Sequence, residues 1–558
     1  MSLEQPFLSK QIIAYIGNKR KLLNLISRGI DSLNLGDRAG IKFLDIFAGS
    51  GVVSRLGKSL GFEVYSNDWE FYSYILNRGF ILTNSSDIAR LFGSEEAFLE
   101  ELERLNTLPE PPDEERYIAH YYAPATFDLQ DVDYRTQRLF YTRHNALVID
   151  KIRNEIDRAY PGGSGNPDQE QKRDHLIGLL VYEAATHTNT SGVFKAFHKG
   201  FGGHSRDALT RILAPIRLRP SELIDSDYPV HIYRKDANDL VKQLRGMDIA
   251  YLDPPYNQHQ YGSNYHMLNT IARWDKIAAP LDLNEKGELK EKAAIRKDWK
   301  DTRSNYCYKN SAASAFADLL QNLDARYILI SYSTDGIIPF EEMKDICRRK
   351  GRLKIVTNEY TKYRGGKQSN SRLNTNVEFI LIVDTTVPST PASMRKVDRV
   401  IGQNRLRLLF KNNFSREKLQ EQAMTIGDGK LVFKLIHKEL EITSRDYFEL
   451  IPPDNLDDLS LDEIFLLSSK LQSSLCLTKE EELNEILSKI DADPDRNLYF
   501  IRLIPDRLKK LAHKKNKNRF YHYLEEIRAI ESHHRELYSL IKKRIDSIEQ
   551  LAEKRFTN

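Results

Sequence analysis

The chain has 558 residues, which is too long for one ordinary hydrophobic core, so we expect at least two folded parts. Hydrophobic residues make up 41% and charged residues 29% of the chain, and no apolar run approaches the ~20 residues of a membrane span, which argues against a membrane protein. The net charge of +4, from 83 basic and 79 acidic residues, permits nucleic-acid binding without requiring it.

The N-terminus and the cysteines indicate the compartment. Residues 1–11 have no apolar core behind a basic start, so they do not have the pattern of a secretory signal. Cys307, Cys347 and Cys476 are far apart and form no metal-spaced pair, which argues against a zinc site or a disulfide framework. We therefore expect a cytoplasmic protein with no membrane partner and no metal site.

Apolar runs that favour β-strands recur between helical stretches. They cover 41–47, 63–66, 248–252, 327–332, 353–357 and 377–383. Continuous apolar strands separated by helices indicate a mostly parallel, twisted sheet with helices on both faces. We therefore predict an α/β fold whose catalytic domain comprises 1–80 and 231–385.

Two insertions and a linker interrupt this pattern. Residues 81–230 show helical patterns without a strand series, so they are predicted to form a helical insertion, and a shorter charged insertion covers about 276–310. Both are expected to project from the sheet. Pro388 and Pro391 lie among Ser and Thr in a linker. It precedes a separate domain at 395–558, which is predicted to be α-rich, with possible strands at 431–436 and helices from about 461.

A glycine turn follows the first predicted strand and precedes a predicted helix at 52–60. It reads Asp45-Ile46-Phe47-Ala48-Gly49-Ser50-Gly51, and glycines at such a place allow a ligand to approach the backbone closely. The next strand leads to Asp68, where a carboxylate can bind ribose hydroxyls. Because the third glycine of the dinucleotide motif is absent, the pattern favours a single-nucleoside cofactor such as S-adenosylmethionine. A turn of purely structural use is the alternative.

A rigid polar loop follows the predicted strand at 248–252. It reads Asp253-Pro254-Pro255-Tyr256, and we call it the catalytic loop. The prolines hold the Asp253 carboxylate and the Pro254 carbonyl in an extended geometry, so two acceptors face one point. An exocyclic amine such as adenine N6 or cytosine N4 suits two acceptors, and the Tyr256 ring can stack on the base. The alternative is a Pro-rich loop with an Asp cap.

Three segments together resemble a known family. The glycine turn, the catalytic loop and the N-terminal Tyr15-Ile16-Gly17-Asn18-Lys19-Arg20-Lys21-Leu22-Leu23 are similar, respectively, to the glycine, catalytic and N-terminal motifs of Dam-type (D12 class) N6-adenine DNA methyltransferases. The stretch 256–266 is similar to modification methylases of restriction systems. The resemblance covers about 10–385 and implies the class I S-adenosylmethionine-dependent methyltransferase fold.

The resemblance also implies roles for individual residues. Tyr15 and Lys19 would contact the cofactor, Asp68 its ribose and Asp236 its adenine, while Asp253 would face both cofactor and target amine. Further cofactor contacts are expected from Asp45, Phe47, Gly49 and Gly51, and the catalytic residues are expected to be Asp253, Pro254, Pro255 and Tyr256. Two features depart from the family: position 15 is Tyr where Dam has Trp, and the chain past 385 has no counterpart in minimal members.

The insertion at 81–230 is the expected target-recognition region. Cations alternate with aromatic residues at 134–145, which suits phosphate contacts and base stacking, although a helix start with a solvated face is the alternative. The polar, glycine-rich loop at 186–203 is expected to lie against DNA. The expected DNA-binding residues are Arg138, Arg143, Asn189, Lys195, Lys199 and Tyr265.

Two further segments leave alternatives open. Ser331-Tyr332-Ser333, at a strand end, suits either the target-base pocket or packing. The densest basic run, at 507–519, fits either a solvated face or a DNA contact.

The sequence therefore predicts a site-specific enzyme that methylates adenine N6 in double-stranded DNA from S-adenosylmethionine, with base flipping. A cognate restriction endonuclease is a candidate partner. The alternatives are an N4-cytosine methyltransferase, a non-catalytic DNA-binding specificity subunit and a fused methylase-nuclease.

Overall fold

The computed structural model describes 3–10, 12–203, 208–357, 376–426, 429–490 and 496–557. The chain divides into two compact units. The first comprises Met1–Val356 and Phe379–Thr390, and the second comprises Thr357–Glu378 and Pro391–Asn558.

A seven-stranded sheet forms the centre of the first unit. Its order is β3-β2-β1-β4-β5-β7-β6, and the neighbours from β3 to β5 pair in parallel. Consecutive residues Phe43 and Leu44 are both fully buried, and consecutive side chains of a strand point to opposite faces, so both faces of the sheet are covered. The strands are β1 Lys42–Asp45, β2 Glu63–Asn67, β3 Val230–Tyr233, β4 Met247–Leu252, β5 Ala325–Ser333, β6 Arg352–Thr357 and β7 Glu378–Asp384.

The six strands predicted from apolar runs are confirmed within one or two residues at most ends. The prediction missed β3, because this four-residue strand lies at the sheet edge and its side chains are only half-buried. Such an edge strand carries no continuous apolar run. The architecture fits an α/β methyltransferase fold.

Helices surround the sheet. On one face, Ile26 of α2 and Leu56 of α3 pack in a core with Phe43 and Ile249. The helices of the first unit are α1 Pro6–Ser9, α2 Leu23–Asp31, α3 Val52–Ser59, α4 Phe71–Asn77, α5 Asp87–Phe92, α6 Glu95–Asn106, α7 Ile118–Tyr121, α8 Arg143–Ala159, α9 Pro167–Thr186, α10 Leu209–Leu213, α11 Ala237–Val241, α12 Tyr261–Asn264, α13 His266–Arg273, α14 Ala312–Asn322 and α15 Phe340–Arg348.

The segment 81–230 is helical, as predicted, but it shares a core with the sheet-flanking helices. Residues of α8 and α9 pack with residues of α4 and α13 in one buried cluster. At Gly79 an added Cβ would lie 3.2 Å from the Asp174 carbonyl oxygen, so α9 approaches this backbone closely. The insertion therefore belongs to the same compact unit as the sheet and does not project as an independent body.

The second unit contains an antiparallel sheet and a helical bundle, each with its own apolar cluster. The sheet order is β11-β10-β9-β8. Its elements are α16 Pro391–Leu409, α17 Arg416–Gln422, β8 Met424–Ile426, β9 Lys430–Lys434, β10 Glu439–Arg445, β11 Glu449–Ile451, α18 Leu461–Ser473, α19 Lys479–Lys489, α20 Asn497–Leu511, α21 Lys517–His533 and α22 Arg535–Thr557. Within the described parts of both units, none of the helices is both long enough and apolar enough to span a membrane.

Candidate active site

A cavity lies where the carboxyl ends of β1 to β4 meet. Ligands of open α/β sheets bind outside this edge, because the loops after parallel strands converge there. Residues that line the cavity include Tyr15, Phe47, Asp68, Trp69, Glu70, Asp236, Asp253, Pro255, Tyr261, Thr302 and Tyr306.

The glycine turn is held by the acid at the end of β2. The Gly49 amide donates to Asp68 Oδ2 at 2.8 Å, and the Glu70 amide donates to Asp68 Oδ1 at 2.8 Å. Gly49 has a φ of +53°, and a Cβ there would lie 2.8 Å from the Tyr15 ring. Glycine is therefore required both by the backbone conformation and by the aromatic ring against it.

Tyr15 belongs to an aromatic cluster. Its ring stacks on those of Tyr265 and Tyr261, with centroids 4.8 and 5.1 Å apart, and its hydroxyl accepts a 3.2 Å hydrogen bond from Tyr72. The Ile16 amide donates to the Tyr265 hydroxyl at 2.7 Å, and Tyr261 donates to the Ile16 carbonyl at 3.2 Å. These hydrogen bonds fix the N-terminal motif against both ends of α12, since Tyr261 begins this helix and Tyr265 follows it.

The catalytic loop is joined to the N-terminal motif by an ion pair. Lys19 Nζ lies 2.9 Å from Asp253 Oδ1 and 4.8 Å from the centre of the Tyr256 ring. The Lys19 side chain is only 4% exposed and that of Asp253 16%, so the pair is poorly screened by water. The Tyr256 ring meets the buried Tyr332 ring edge-on at 5.5 Å. Tyr332 accepts from the Ile338 amide at 3.1 Å, which shows that it packs beneath the loop.

Asp45 lies under the glycine turn and is almost fully buried. Its Oδ2 accepts a 2.7 Å hydrogen bond from Ser54. Burial raises the pKa of Asp45 to about 7, and the charges of Asp253 and Asp68 add to this shift. The structure therefore places Asp45 as a support of the turn, whereas Phe47 reaches the cavity wall and meets Tyr306 edge-on at 5.2 Å.

Asp236 caps the helix after β3. Its Oδ1 accepts from the Asn238 and Asp239 amides at 2.8 and 3.2 Å, and the residue also lines the cavity. Burial raises the pKa of Asp236 above its usual value. The neighbouring Lys235 is fixed by Asn67, whose side chain accepts from the Lys235 amide at 3.0 Å. The ends of β2 and β3 are thus tied together.

Sequence reasoning missed Glu70. This carboxylate is 5% exposed and lines the cavity. Glu70 Oε2 accepts from Asn269 at 2.7 Å, and Oε1 accepts from Thr302 at 2.8 Å. Burial raises the pKa of Glu70 to about 7, against the opposing effect of these hydrogen bonds. In the sequence, the only indication that Glu70 belongs to the site was its position two residues after Asp68.

The charged insertion at 276–310 also contributes to the cavity, although it was expected to project from the sheet. Thr302, Ser304 and Tyr306 line the cavity wall. Gln260 pairs with Ser304 in both directions, donating to its carbonyl at 3.1 Å and accepting from its amide at 2.9 Å. A side-chain amide can replace a backbone partner in this way, so the segment is anchored beside the catalytic loop.

Three of the six expected DNA-binding residues are interior. Arg138 is 1% exposed, and its guanidinium donates to the carbonyls of Tyr121, Ala279, Pro280 and Glu291 at 2.8–3.2 Å. Asn189 is fully buried and donates to the Leu139 carbonyl at 2.9 Å, while Tyr265 lies in the aromatic cluster. The structure does not place these side chains where DNA could reach them.

The other three expected DNA-binding residues are more accessible. Lys195 and Lys199 are exposed on the loop that Asn189 holds, and Lys199 Nζ lies 5.1 Å from the centre of the Tyr134 ring. Arg143 is half-buried and donates to the Ala119 carbonyl at 2.7 Å. Lys195 and Lys199 therefore stay candidates for phosphate contacts.

The chain is similar to known modification enzymes. It is 31% identical to the type II methyltransferase M.NlaIII of Neisseria lactamica over 67% of this chain and 99% of that protein. It is 29% identical to the type II methyltransferase M.FokI of Planomicrobium okeanokoites over 75% of this chain and 60% of that protein. It is 30% identical to modification methylase LlaI of Lactococcus lactis subsp. lactis over 62% of this chain and 51% of that protein. No solved structure matches the chain.

A family model matches residues 15–346, a span that contains the glycine turn, the catalytic loop and the whole cavity wall described above. The alternatives of cytosine methylation and of a non-catalytic subunit find no support in these comparisons. The chain belongs to the D12 class of N6 adenine-specific DNA methyltransferases.

Proposed function

We propose that this adenine-specific DNA methyltransferase takes its methyl group from S-adenosylmethionine and acts on double-stranded DNA as the modification enzyme of a restriction system. The observation that carries the proposal is the Asp253 carboxylate, which faces the same cavity as Asp68 and Asp236. The proposed site of the methyl donor and the catalytic loop therefore lie in the same cavity.

The cavity suits the proposed donor chemically. S-adenosylmethionine supplies an electrophilic methyl group on a sulfonium and also carries a ribose diol, an adenine and an ammonium group. Asp68 retains acceptor capacity for hydroxyl groups, Asp236 is available to an amine, and the rings of Tyr15 and Phe47 offer apolar faces. The wall carries four acids, Asp68, Glu70, Asp236 and Asp253, against the cations Lys235 and Lys19, so the excess of acids favours a cationic ligand.

The catalytic loop is proposed to prepare the target amine. The Asp253 carboxylate and the Pro254 carbonyl accept hydrogen bonds from adenine N6, which draws electron density onto the nitrogen. Lys19 holds the Asp253 carboxylate in position, because the ammonium group lies 2.9 Å away and both side chains are largely buried. Positioning and preorganised electrostatics then supply most of the rate.

Base flipping follows from the accessibility of the amine. In a duplex, adenine N6 is paired and stacked, so a buried loop cannot surround it unless the base leaves the stack. Tyr256 is the ring proposed to stack on the flipped base, and Tyr332 supports it from below at 5.5 Å.

The proposal is tested by expressing the protein in a host that lacks adenine methylation and analysing the host DNA by mass spectrometry. N6-methyladenine should appear, and modification-sensitive sequencing should place it in one short motif. Host DNA from cells that express Asp253→Ala gives the background level of N6-methyladenine. Only N4-methylcytosine, or no modified base, would contradict the proposal.

The role in a restriction system rests on the relatives, which are modification methylases by name. We propose a cognate endonuclease as the functional partner. Once the motif is known, DNA from expressing cells should resist an endonuclease that cuts at it, and DNA from Asp253→Ala cells should be cut. Cleavage of both DNAs would contradict protection as the role of the enzyme.

A further inference from the structure

A basic surface lies in the second unit, where α20 ends and α21 begins. The run 507–519 contains seven Lys and Arg residues and no Asp or Glu. Five of its side chains are exposed lysines, which we call the C-terminal basic surface: Lys509, Lys510, Lys514, Lys515 and Lys517.

The packing of the bundle forces these lysines outward. Leu508, Leu511 and Phe520, which alternate with them along the chain, are buried in the bundle core at 0–3% exposure. A helix that buries one stripe presents its remaining residues to solvent. Both helices therefore direct their cations away from the core on either side of the short turn at Lys514–Asn516.

The five lysines differ from other cations of the same bundle. Arg507 pairs with Glu482, Arg519 with Glu480, and Lys542 with Glu531, at 2.9–3.1 Å. By contrast, the side chains of the C-terminal basic surface make no ion pair or hydrogen bond with any described residue. Their charge is therefore not neutralised within the described part of the chain.

A second element brings another cation to this place. Arg555, near the end of α22, donates to the Ala512 carbonyl at 2.9 Å, and Phe556 packs edge-on against Phe520 at 5.6 Å. The Arg555 side chain is exposed, and one of its nitrogens holds it beside the lysine turn. The positive charge is thus built from two separate parts of the chain.

We propose that the C-terminal basic surface binds the phosphate backbone of double-stranded DNA, independently of sequence, and so extends the DNA contact beyond the methyltransferase unit. This rests on the double-stranded DNA substrate proposed above. Duplex DNA carries one negative charge per ~1.7 Å, and lysines that contact phosphates release condensed counterions. Asn516 and Asn518 add neutral hydrogen-bond donors between the cations.

The test compares two quadruple variants of the full chain. One removes part of the surface: Lys510→Gln, Lys514→Gln, Lys515→Gln and Lys517→Gln. The control removes the same charge from exposed lysines scattered elsewhere in the second unit: Lys396→Gln, Lys411→Gln, Lys434→Gln and Lys543→Gln. Binding to a mixed-sequence DNA duplex is measured by fluorescence anisotropy at several salt concentrations.

The surface variant should lower the slope of log Kobs against log salt by about 3.6, since each of the four phosphate contacts contributes about 0.9, and weaken binding at low salt more than about tenfold. The control should keep the slope of the unmodified protein. A variant with Lys→Arg at the same four positions should bind normally, because it keeps the positive charge. Equal slopes for the surface variant and the control would overturn the proposal and leave the lysines as a solvated face.

Methyl transfer separates this proposal from the proposed function. Host DNA should still acquire N6-methyladenine from the surface variant, because none of the four lysines lies in the cavity wall. If the unmodified protein bound the duplex with no salt dependence, this inference would fail even where methylation is intact.

Discussion

Lys19 and Asp253 form an ion pair in which Nζ and Oδ1 lie 2.9 Å apart, and Lys19 Nζ also lies 4.8 Å from the centre of the Tyr256 ring. One cation thereby holds both the carboxylate and the aromatic ring of the catalytic loop. The N-terminal motif therefore positions the catalytic loop as well as lining the cavity.

Lys19→Met should lower kcat without preventing folding of the rest of the unit. The substitution removes the cation that lies 2.9 Å from the Asp253 carboxylate, so the carboxylate is no longer held in its position. Misplacement of a reacting group by about 1 Å costs on the order of 100-fold in rate, which is the expected size of the effect. Single-turnover methyl transfer measures it.

Arg20→Met is the matched control for Lys19→Met. Arg20 is the next cation along the chain, and its side chain is exposed. Its rate should stay within about twofold of the unmodified enzyme, as is usual for surface substitutions. Equal losses in both variants would show that charge near the N-terminus, rather than the pair with Asp253, accounts for the effect.

Gly49→Ala should weaken binding of S-adenosylmethionine. Its φ of +53° costs an L-residue about 1–2 kcal/mol, and its Cβ would press on the Tyr15 ring at 2.8 Å. Tyr15 must then move, so we expect at least a tenfold loss of affinity, or about 1.4 kcal/mol, by calorimetry.

Gly61→Ala separates strain from contact. Gly61 has a φ of +78°, but an added Cβ would meet nothing within 4 Å. The Gly61→Ala variant should therefore lose about 1–2 kcal/mol of stability from backbone strain, as Gly49→Ala does, but should bind the cofactor normally. Weakened binding in Gly61→Ala would contradict a specific role for the contact between Gly49 and Tyr15.

The strands and turns of the site could be predicted from sequence because neighbouring strands of a parallel sheet end at one edge. β1 and β4 pair directly, with Phe43 opposite Ile249, so the glycine turn and the catalytic loop had to meet. Asp68 was predicted from its place at the end of the second strand, and Tyr15 and Asp236 from the family resemblance. The structure gathers all three around one cavity.

Long-range packing explains what the sequence could not reveal. Arg138 lies in a run of cations and aromatic residues, but carbonyls of a segment more than a hundred residues away surround its guanidinium. Thr302 is likewise far from Glu70 in the sequence, and it donates a hydrogen bond to Glu70 because the insertion at 276–310 folds back on the site. Local composition carries no record of such partners.

Arg138→Met should act on stability, whereas Lys199→Gln should act on DNA binding. Removing the buried guanidinium leaves several carbonyls unsatisfied, at about 1–3 kcal/mol for each lost group that water cannot reach. Denaturant unfolding should show this loss for Arg138→Met only. Lys199→Gln should keep its stability and reduce the salt slope of DNA binding by about 1.

The opposite pattern would contradict this assignment. If Arg138→Met kept full stability and lost DNA affinity, the guanidinium would have to leave its carbonyl partners to reach phosphate. If Lys199→Gln bound DNA with an unchanged salt slope, the loop at 186–203 would not contact the backbone through this residue.

Glu70 should make the stability of the protein fall as pH rises. The pKa of Glu70 is about 7 in the folded state and about 4.5 for an ordinary glutamate. Between these values the folded state binds more protons than the unfolded state, so the free energy of unfolding declines by about 1.4 kcal/mol per pH unit for this group. Glu70→Gln should remove that part of the decline in urea unfolding from about pH 5 to pH 7.

Glu63→Gln is the control, because the hydrogen bond from Tyr65 holds the pKa of Glu63 below its usual value. Glu63 therefore titrates below about pH 4.5, and its contribution to stability does not change between pH 5 and 7, so Glu63→Gln should keep the decline in that interval. Identical slopes in Glu70→Gln and the unmodified protein would contradict a raised pKa at Glu70.

The most direct test of the catalytic assignment is transfer of a tritiated methyl group to duplex DNA by Asp253→Ala. Transfer should fall to the background of the assay, while DNA affinity stays close to that of the unmodified enzyme, because Asp253 is proposed to contact the amine and not the phosphate backbone. Asp253→Asn should be nearly as inactive, since it lacks the charge that pairs with Lys19. Methyl transfer at an undiminished rate in Asp253→Ala would contradict the central role of the catalytic loop.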